Sequence, residues 1–240
     1  SQLRANGNED YVWRIHNNGH SRADGINDGA FEYDGDDVEF IDFNQLVGGA
    51  SVDTFLFESG GRLTGYVDGR AGSDIVDTRQ SGAAVAFRLR EQATDGTSGS
   101  PLWLKSMETI RAHTDRENLL IGPDLQSDWI IDRANGGRLV AEGQTVSFTG
   151  IQTLWGGSNQ DEFIMVRNGG QTGFVTGGVN GGVGTDTLTI GSADGEAIDW
   201  TVDGFAAGSA DRAGTFTGIE VLAGGQGDDR VTLTGAQAWV

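Results

Sequence analysis

A ten-residue phrase returns four times in this 240-residue chain, and it limits the possible folds more than any other feature. It reads LVGGASVDTF from Leu46, IRAHTDRENL from Ile110, LWGGSNQDEF from Leu154 and LAGGQGDDRV from Leu222. Each copy opens and closes on an apolar residue and carries an acid two places before its end: Asp53, Glu117, Asp161 and Asp229. Three copies hold Gly-Gly, and the second has lost it. A unit that recurs in this way is one supersecondary module packed on copies of itself.

The copies start 64, 44 and 68 residues apart, close to two or three multiples of a length near ~22, which is the size of one turn of a β-solenoid. The pattern predicts an all-β chain, a β-solenoid (parallel β-helix) of about eleven coils. It makes residues 1–240 one repeat-built segment, with units beginning near 46, 110, 154 and 222, cut from a longer array. A Trp follows each phrase or its equivalent: Trp13, Trp129, Trp200 and Trp239, with Phe87 in the unit that lacks one. Two units hold an extra turn, GGRLTGYVDGRAGSDIV and GGQTGFVTGGVNGGVGTDTL, aligned here through their aromatic–Val pairs and through Asp74 and Asp186. Inward rows are expected to contain Leu46, Phe55, Ile110, Leu119, Leu154, Phe163, Leu222 and Val231, stacked ~4.8 Å apart. SMETIRAHTDRENLL is the one stretch with helical character, and its place in a phrase assigns it to strand with at most a short helical turn. The stretch from 83 to 119 departs from the repeat.

Composition agrees. There are 40 glycines and 2 prolines, and the glycines sit between short β-branched and aromatic runs, as turns between strands do. The formal charge is −19, which disfavours nucleic acid, since binding it requires neutralised phosphates. Divalent cations and neutral partners suit such a surface better. No apolar run reaches the ~18 residues of a membrane span.

The acids are the candidate ligands. Asp53 and Asp74, or Asp161 and Asp186, on adjacent coils would repel unless exposed, capped by turn amides or bridged by a cation. GGQGDDRV and GRAGSDIV are similar to the calcium-binding nonapeptide of RTX proteins, which makes Asp53, Asp74, Asp161, Asp186, Asp228 and Asp229 candidate calcium ligands, although the pieces stand alone rather than in tandem. The loop bearing Asp24, Asp28, Asp34, Asp36 and Asp37 is a second, weaker ion candidate. Trp155 replaces a small residue of the sister phrases and is a candidate for stacking on a sugar, with Trp103 and Tyr66 behind it. His16 and His20 lie four apart without a zinc motif, and no nucleophile elbow or phosphate loop is present. The acids recur at one register, which suits a structural duty better than a catalytic one, so no enzyme is expected.

The cadence FTGIQTLWGGSNQDEF, the Gly-rich insert, and FTGIEVLAGGQGDDRV resemble the repeats of giant secreted bacterial adhesins: the filamentous-haemagglutinin-like proteins of two-partner secretion, biofilm-matrix adhesins and some RTX-type adhesins. The resemblance implies an extracellular β-helical rod without catalytic residues. Its partners would be neighbouring repeats and exopolysaccharide or cell-surface glycan, and calcium is an open cofactor.

Overall fold

A computed structural model describes all residues except 17–25, 34–35, 90–100, 169, 192–194 and 235–240. The chain is all-β, with no helix among the described residues, and all but two of its described strands lie in two large, mostly parallel sheets. It divides into two compact units where the repeat suggests one continuous segment: Ser1–Asn118 with Val146–Phe148, and Leu119–Thr145 with Thr149–Val240. The division falls at the end of the phrase that has lost its Gly-Gly. SMETIRAHTDRENLL holds two short strands and the turn between them.

The first unit contains β1 (Gln2–Arg4), β2 (Tyr11–Ile15), β3 (Gly29–Tyr33), β4 (Asp36–Phe40), β5 (Gln45–Val47), β6 (Asp53–Phe57), β7 (Tyr66–Asp68), β8 (Ile75–Asp77), β9 (Ala86–Leu89), β10 (Leu102–Lys105) and β11 (Thr109–Arg111). One of its sheets runs β1-β5-β7-β10-β9 and the other β4-β3-β2-β6-β8-β11. All pairs are parallel except the meander β2–β3–β4. The strands are short and alternate inward apolar with outward polar residues, as half-buried strands do. Leu3, Leu46, Val67 and Leu104 form one inward row. Phe31, Trp13, Phe55, Val76 and Ile110 form the row on the other sheet.

The second unit contains β12 (Leu119–Ile121), β13 (Ser127–Arg133), β14 (Gly136–Ala141), β16 (Thr153–Ser158), β17 (Asp161–Met165), β18 (Arg167–Asn168), β19 (Gln171–Thr172), β20 (Gly178–Val183), β21 (Thr187–Ile190), β22 (Asp199–Gly204), β23 (Ala207–Ala210), β24 (Gly214–Thr217), β25 (Val221–Ala223) and β26 (Arg230–Leu233), while β15 (Gln144–Thr149) is divided, its middle residues Val146–Phe148 counting with the first unit. Its rows are Leu120–Leu154–Val179–Phe216 on one sheet and Leu222–Leu188–Phe163–Trp129–Leu139 on the other. Here too an antiparallel meander, β22–β23–β24, and a hairpin, β13–β14, interrupt the parallel order.

The four phrase starts therefore share no single row. Within the first unit Leu46 and Ile110 lie on opposite sheets, and within the second so do Leu154 and Leu222. The physical reason is strand parity. Most connections carry the chain from one sheet to the other, but β9 and β10, between Leu46 and Ile110, are parallel neighbours on one sheet, and β22, β23 and β24, between Leu154 and Leu222, also share a sheet. An odd number of crossings between two phrases exchanges their sheets. Leu119 is only half-buried, and the inward residue there is its neighbour Leu120. Val231 is 58% exposed.

The tryptophans open the irregular parts. Trp13 and Trp129 are wholly buried, stacked on Phe55 and Phe163 at centroid distances of 5.7 and 5.3 Å. Trp200 meets Phe216 edge-on within the second meander. Trp239 lies outside the described residues. Asn27 and Asn135 turn equivalent corners, each at positive φ, and their Oδ1 atoms accept the N–H and Oγ1–H of Thr64 and Thr176. That equivalence places Val67 opposite Val179 rather than opposite Val175, so the aromatic–Val pairs of the two inserts do not correspond.

Candidate functional site

The recurring acids head strands. Asp53 opens β6, Asp161 opens β17, and Asp74 and Asp186 each lie just before the next strand of the same sheet. All four are buried, at 2% exposure or less. They hydrogen-bond along the stack by one rule. The N–H of the residue heading one strand donates to the side-chain oxygen of the residue heading the next. Asp53 N–H donates to Asp74 Oδ1 at 2.8 Å, and Asp74 N–H to Glu108 Oε2 at 2.6 Å. In the second unit Asp161 N–H donates to Asp186 Oδ1 at 2.8 Å, and Asp186 N–H to Glu220 Oε2 at 2.9 Å. Ile198 N–H meets Asp229 Oδ1 in the same manner at 2.9 Å.

A glycine five places earlier makes the seat. A Cβ on Gly48, Gly69, Gly156, Gly181 or Gly224 would fall within 2.6 Å of an oxygen of Asp53, Asp74, Asp161, Asp186 or Asp229 respectively. The carboxylate occupies the volume that the glycine leaves open, and Gly49 N–H donates to Asp53 Oδ2 at 2.7 Å. The acid matters here because it satisfies backbone N–H groups that the sheet leaves without carbonyl partners. The glycine and the acid are thus one device. Its sequence signal is Gly-x-x-x-x-Asp, which the ten-residue phrase contains but a reading by phrase alone does not isolate.

Glu117, the acid of the second phrase, is exposed, and its neighbour Asn118 takes the strand-head position, with His113 in place of glycine five residues earlier. Asn118 is 1% exposed. Its Oδ1 accepts Val85 N–H at 2.8 Å, and its Nδ2 donates to the His113 carbonyl at 2.7 Å.

Burial is the main force on the acid pKa values. It raises Asp74 to about 6, with Asp53, Glu108 and Asp68 adding repulsion against the pull of the Asp53 amide. It raises Asp161 to about 7, opposed by Ser127 and the Trp129 indole and reinforced by Asp186. Asp53 and Asp186 are raised for the same first reason. Asp53 Oδ1, Asp74 Oδ2, Asp186 Oδ2 and both carboxyl oxygens of Asp161 are buried without completing a hydrogen bond of normal geometry. The Trp13 indole N–H faces Asp53 and lowers its pKa, yet closes no such bond either.

The six acids are not gathered as one ligand set. Asp53 and Asp74 are neighbours in one column, Asp161 and Asp186 in another. Asp229 is half-buried and Asp228 exposed at the head of β26. Among the described residues, no three acid, histidine or cysteine side chains converge as metal ligands would. In the acidic loop, Asp28 is buried and accepts Asp42 N–H, while Asp36 and Asp37 are exposed on β4. Asp24, Asp34 and His20 lie outside the described residues. Trp155 stands on the outward face of β16, 41% exposed, between Ile121 and Asn180. Trp103 is half-buried between Tyr66 and Arg88, whose guanidinium lies 5.3 Å over its ring. Among the described residues no helix is long and apolar enough to cross a membrane. Comparison with family models, with curated proteins and with solved structures finds no match.

Proposed function

We propose that this chain is a structural segment of an extracellular bacterial adhesin, wound as a β-solenoid whose work is to span distance and present a surface. The observation that carries the reading is the rung-by-rung repetition. Inward rows continue in register over coils of 21 residues (Leu46 to Val67) and 25 residues (Leu154 to Val179), and the buried acid seat recurs with them. A device that recurs from coil to coil serves the stack, whereas catalysis needs one exceptional site. The meanders consume residues without turning a coil, so the coils are fewer than the eleven obtained by dividing the length by ~22.

Small-angle scattering tests this directly. Fewer than eleven coils rising ~4.8 Å each give an axis of at most ~50 Å, so a solenoid gives the profile of a modestly elongated particle. A near-spherical particle overturns the reading.

Exposed Trp155 favours a second, compatible reading, in which the outward face of β16 takes a neutral glycan by ring stacking. An aromatic platform of this kind contributes about 1 kcal/mol or more, so Trp155→Ala is expected to weaken binding to exopolysaccharide by roughly five- to tenfold. A glycan array on which wild type and variant behave alike removes this reading and leaves the rod untouched.

A further inference from the structure

We propose that the buried strand-head aspartates, Asp161 above all, are proton-binding seats occupied by neutral carboxylic acids, so that the fold is an acid-stabilised one that loosens as pH rises through neutrality. The inference is independent of what the protein adheres to.

The geometry carries it through three observations. First, Asp161 is 2% exposed and both its carboxyl oxygens lack a hydrogen bond of normal geometry. A buried carboxylate in that condition has lost its water and gained too little in return. Second, the groups around the seats are acids or neutral. Asp161 faces Ser127 and Trp129 on β13 and Asp186 on the strand beyond, and Asp186 faces Glu220. Asp74 faces Asp53, Glu108 and Asp68, and Asp53 faces Tyr11, Trp13, Gly49 and Asp10. The nearest lysine contact in this set is Lys105 on Asp68 at 3.7 Å, one step removed. Third, the chain itself places a neutral group at one equivalent strand head. Asn118 accepts a strand-head amide on one side and donates to a turn carbonyl on the other. A protonated aspartic acid has the same pair of capacities, one acceptor and one O–H donor, and a carboxylate has only the first.

The sign follows from linkage. Aspartate in the unfolded chain titrates near 3.8, while Asp74 and Asp161 are raised to about 6 and 7 when folded. Between these limits the folded state holds protons that the unfolded chain has released, so stability falls as pH rises from about 4 to about 7 and levels off above.

The experiment is thermal melting of the whole chain from pH 5 to pH 8, with chelator and again with calcium chloride. The expected result is a midpoint that falls by several degrees toward pH 8 in both series. Asp161→Asn, which fixes the neutral form, should flatten that slope and melt higher than wild type at pH 8. Asn118→Asp should do the reverse and steepen it. An infrared carboxylic-acid band present near pH 6 and weakened in Asp161→Asn gives a readout that does not depend on unfolding. A midpoint that is flat or rises with pH overturns the proposal. So does recovery of the pH 8 midpoint by calcium alone, which would make a cation, and not the proton, the occupant of the seat.

Discussion

Gly156→Ala is expected to cost the chain about 3 kcal/mol or more, a large fraction of the stability of any domain. A Cβ at this position would lie 2.4 Å from Asp161 Oδ2 and 2.3 Å from the Gly181 carbonyl oxygen. The first obstacle is a side chain that has nowhere to go, because the seat is closed by Ser127 and Trp129. The second is backbone of the next strand, which cannot yield without breaking the register that holds Leu154 over Val179. Two other glycines calibrate the effect. The three atoms nearest a Cβ on Gly224 all belong to the side chain of half-buried Asp229, which can turn toward solvent, so the cost of Gly224→Ala is expected below about 1 kcal/mol. Among the described residues nothing lies within 4 Å of a Cβ on Gly191, and its φ is not positive, so Gly191→Ala is expected to be neutral or to stabilise by a few tenths of a kcal/mol through the unfolded state. Urea denaturation of the three variants gives the ranking. Equal losses at all three would mean that glycine matters here for chain flexibility and not for the acid's seat.

That contrast shows what a sequence of this kind discloses. The all-β class and the turn-and-strand rhythm follow from spacing, because alternation within short runs and Gly-rich punctuation are local properties. Leu46, Phe55, Ile110, Leu154 and Phe163 are wholly buried, as their places in the phrase imply. Parity is not local. Whether Ile110 sits under Leu46 or on the facing sheet depends on how many strands between them stay on one side, and two strands on one sheet, such as β9 and β10, look in sequence like two that face each other. The same blindness misaligned Tyr66–Val67 with Phe174–Val175, since corner geometry at Asn27 and Asn135 sets the register and not the aromatic. At the candidate site the acids were visible as a periodic mark, but their duty was not. The distance that explains them, five residues from glycine to aspartate, lies inside the phrase. Its partner, the amide one strand away, lies 21 or 25 residues off.

Trp129→Ala should be the most damaging single truncation in the second unit, with an expected loss of about 3–5 kcal/mol. The indole has no exposed surface and stacks on Phe163 at 5.3 Å with an interplanar angle of 19°. It also packs in register against Leu139 of the hairpin, so its removal opens a cavity where a parallel row and an antiparallel pair meet. Neighbouring backbone is pinned by both pairings and cannot collapse into the space, which is the circumstance in which large-to-small changes cost most. Trp129→Phe separates packing from polarity. It keeps most of the apolar volume but loses the indole that opposes the upward shift of the Asp161 pKa. The Phe variant should therefore lose only about 1–2 kcal/mol in mildly acidic solution, where Asp161 is neutral, and measurably more at pH 8, where that aspartate is charged and deprived of the indole dipole. Denaturation curves at the two pH values make the comparison. A Phe variant equally impaired at both would show that the indole serves as filling alone, with no part in the electrostatics of the aspartate beside it.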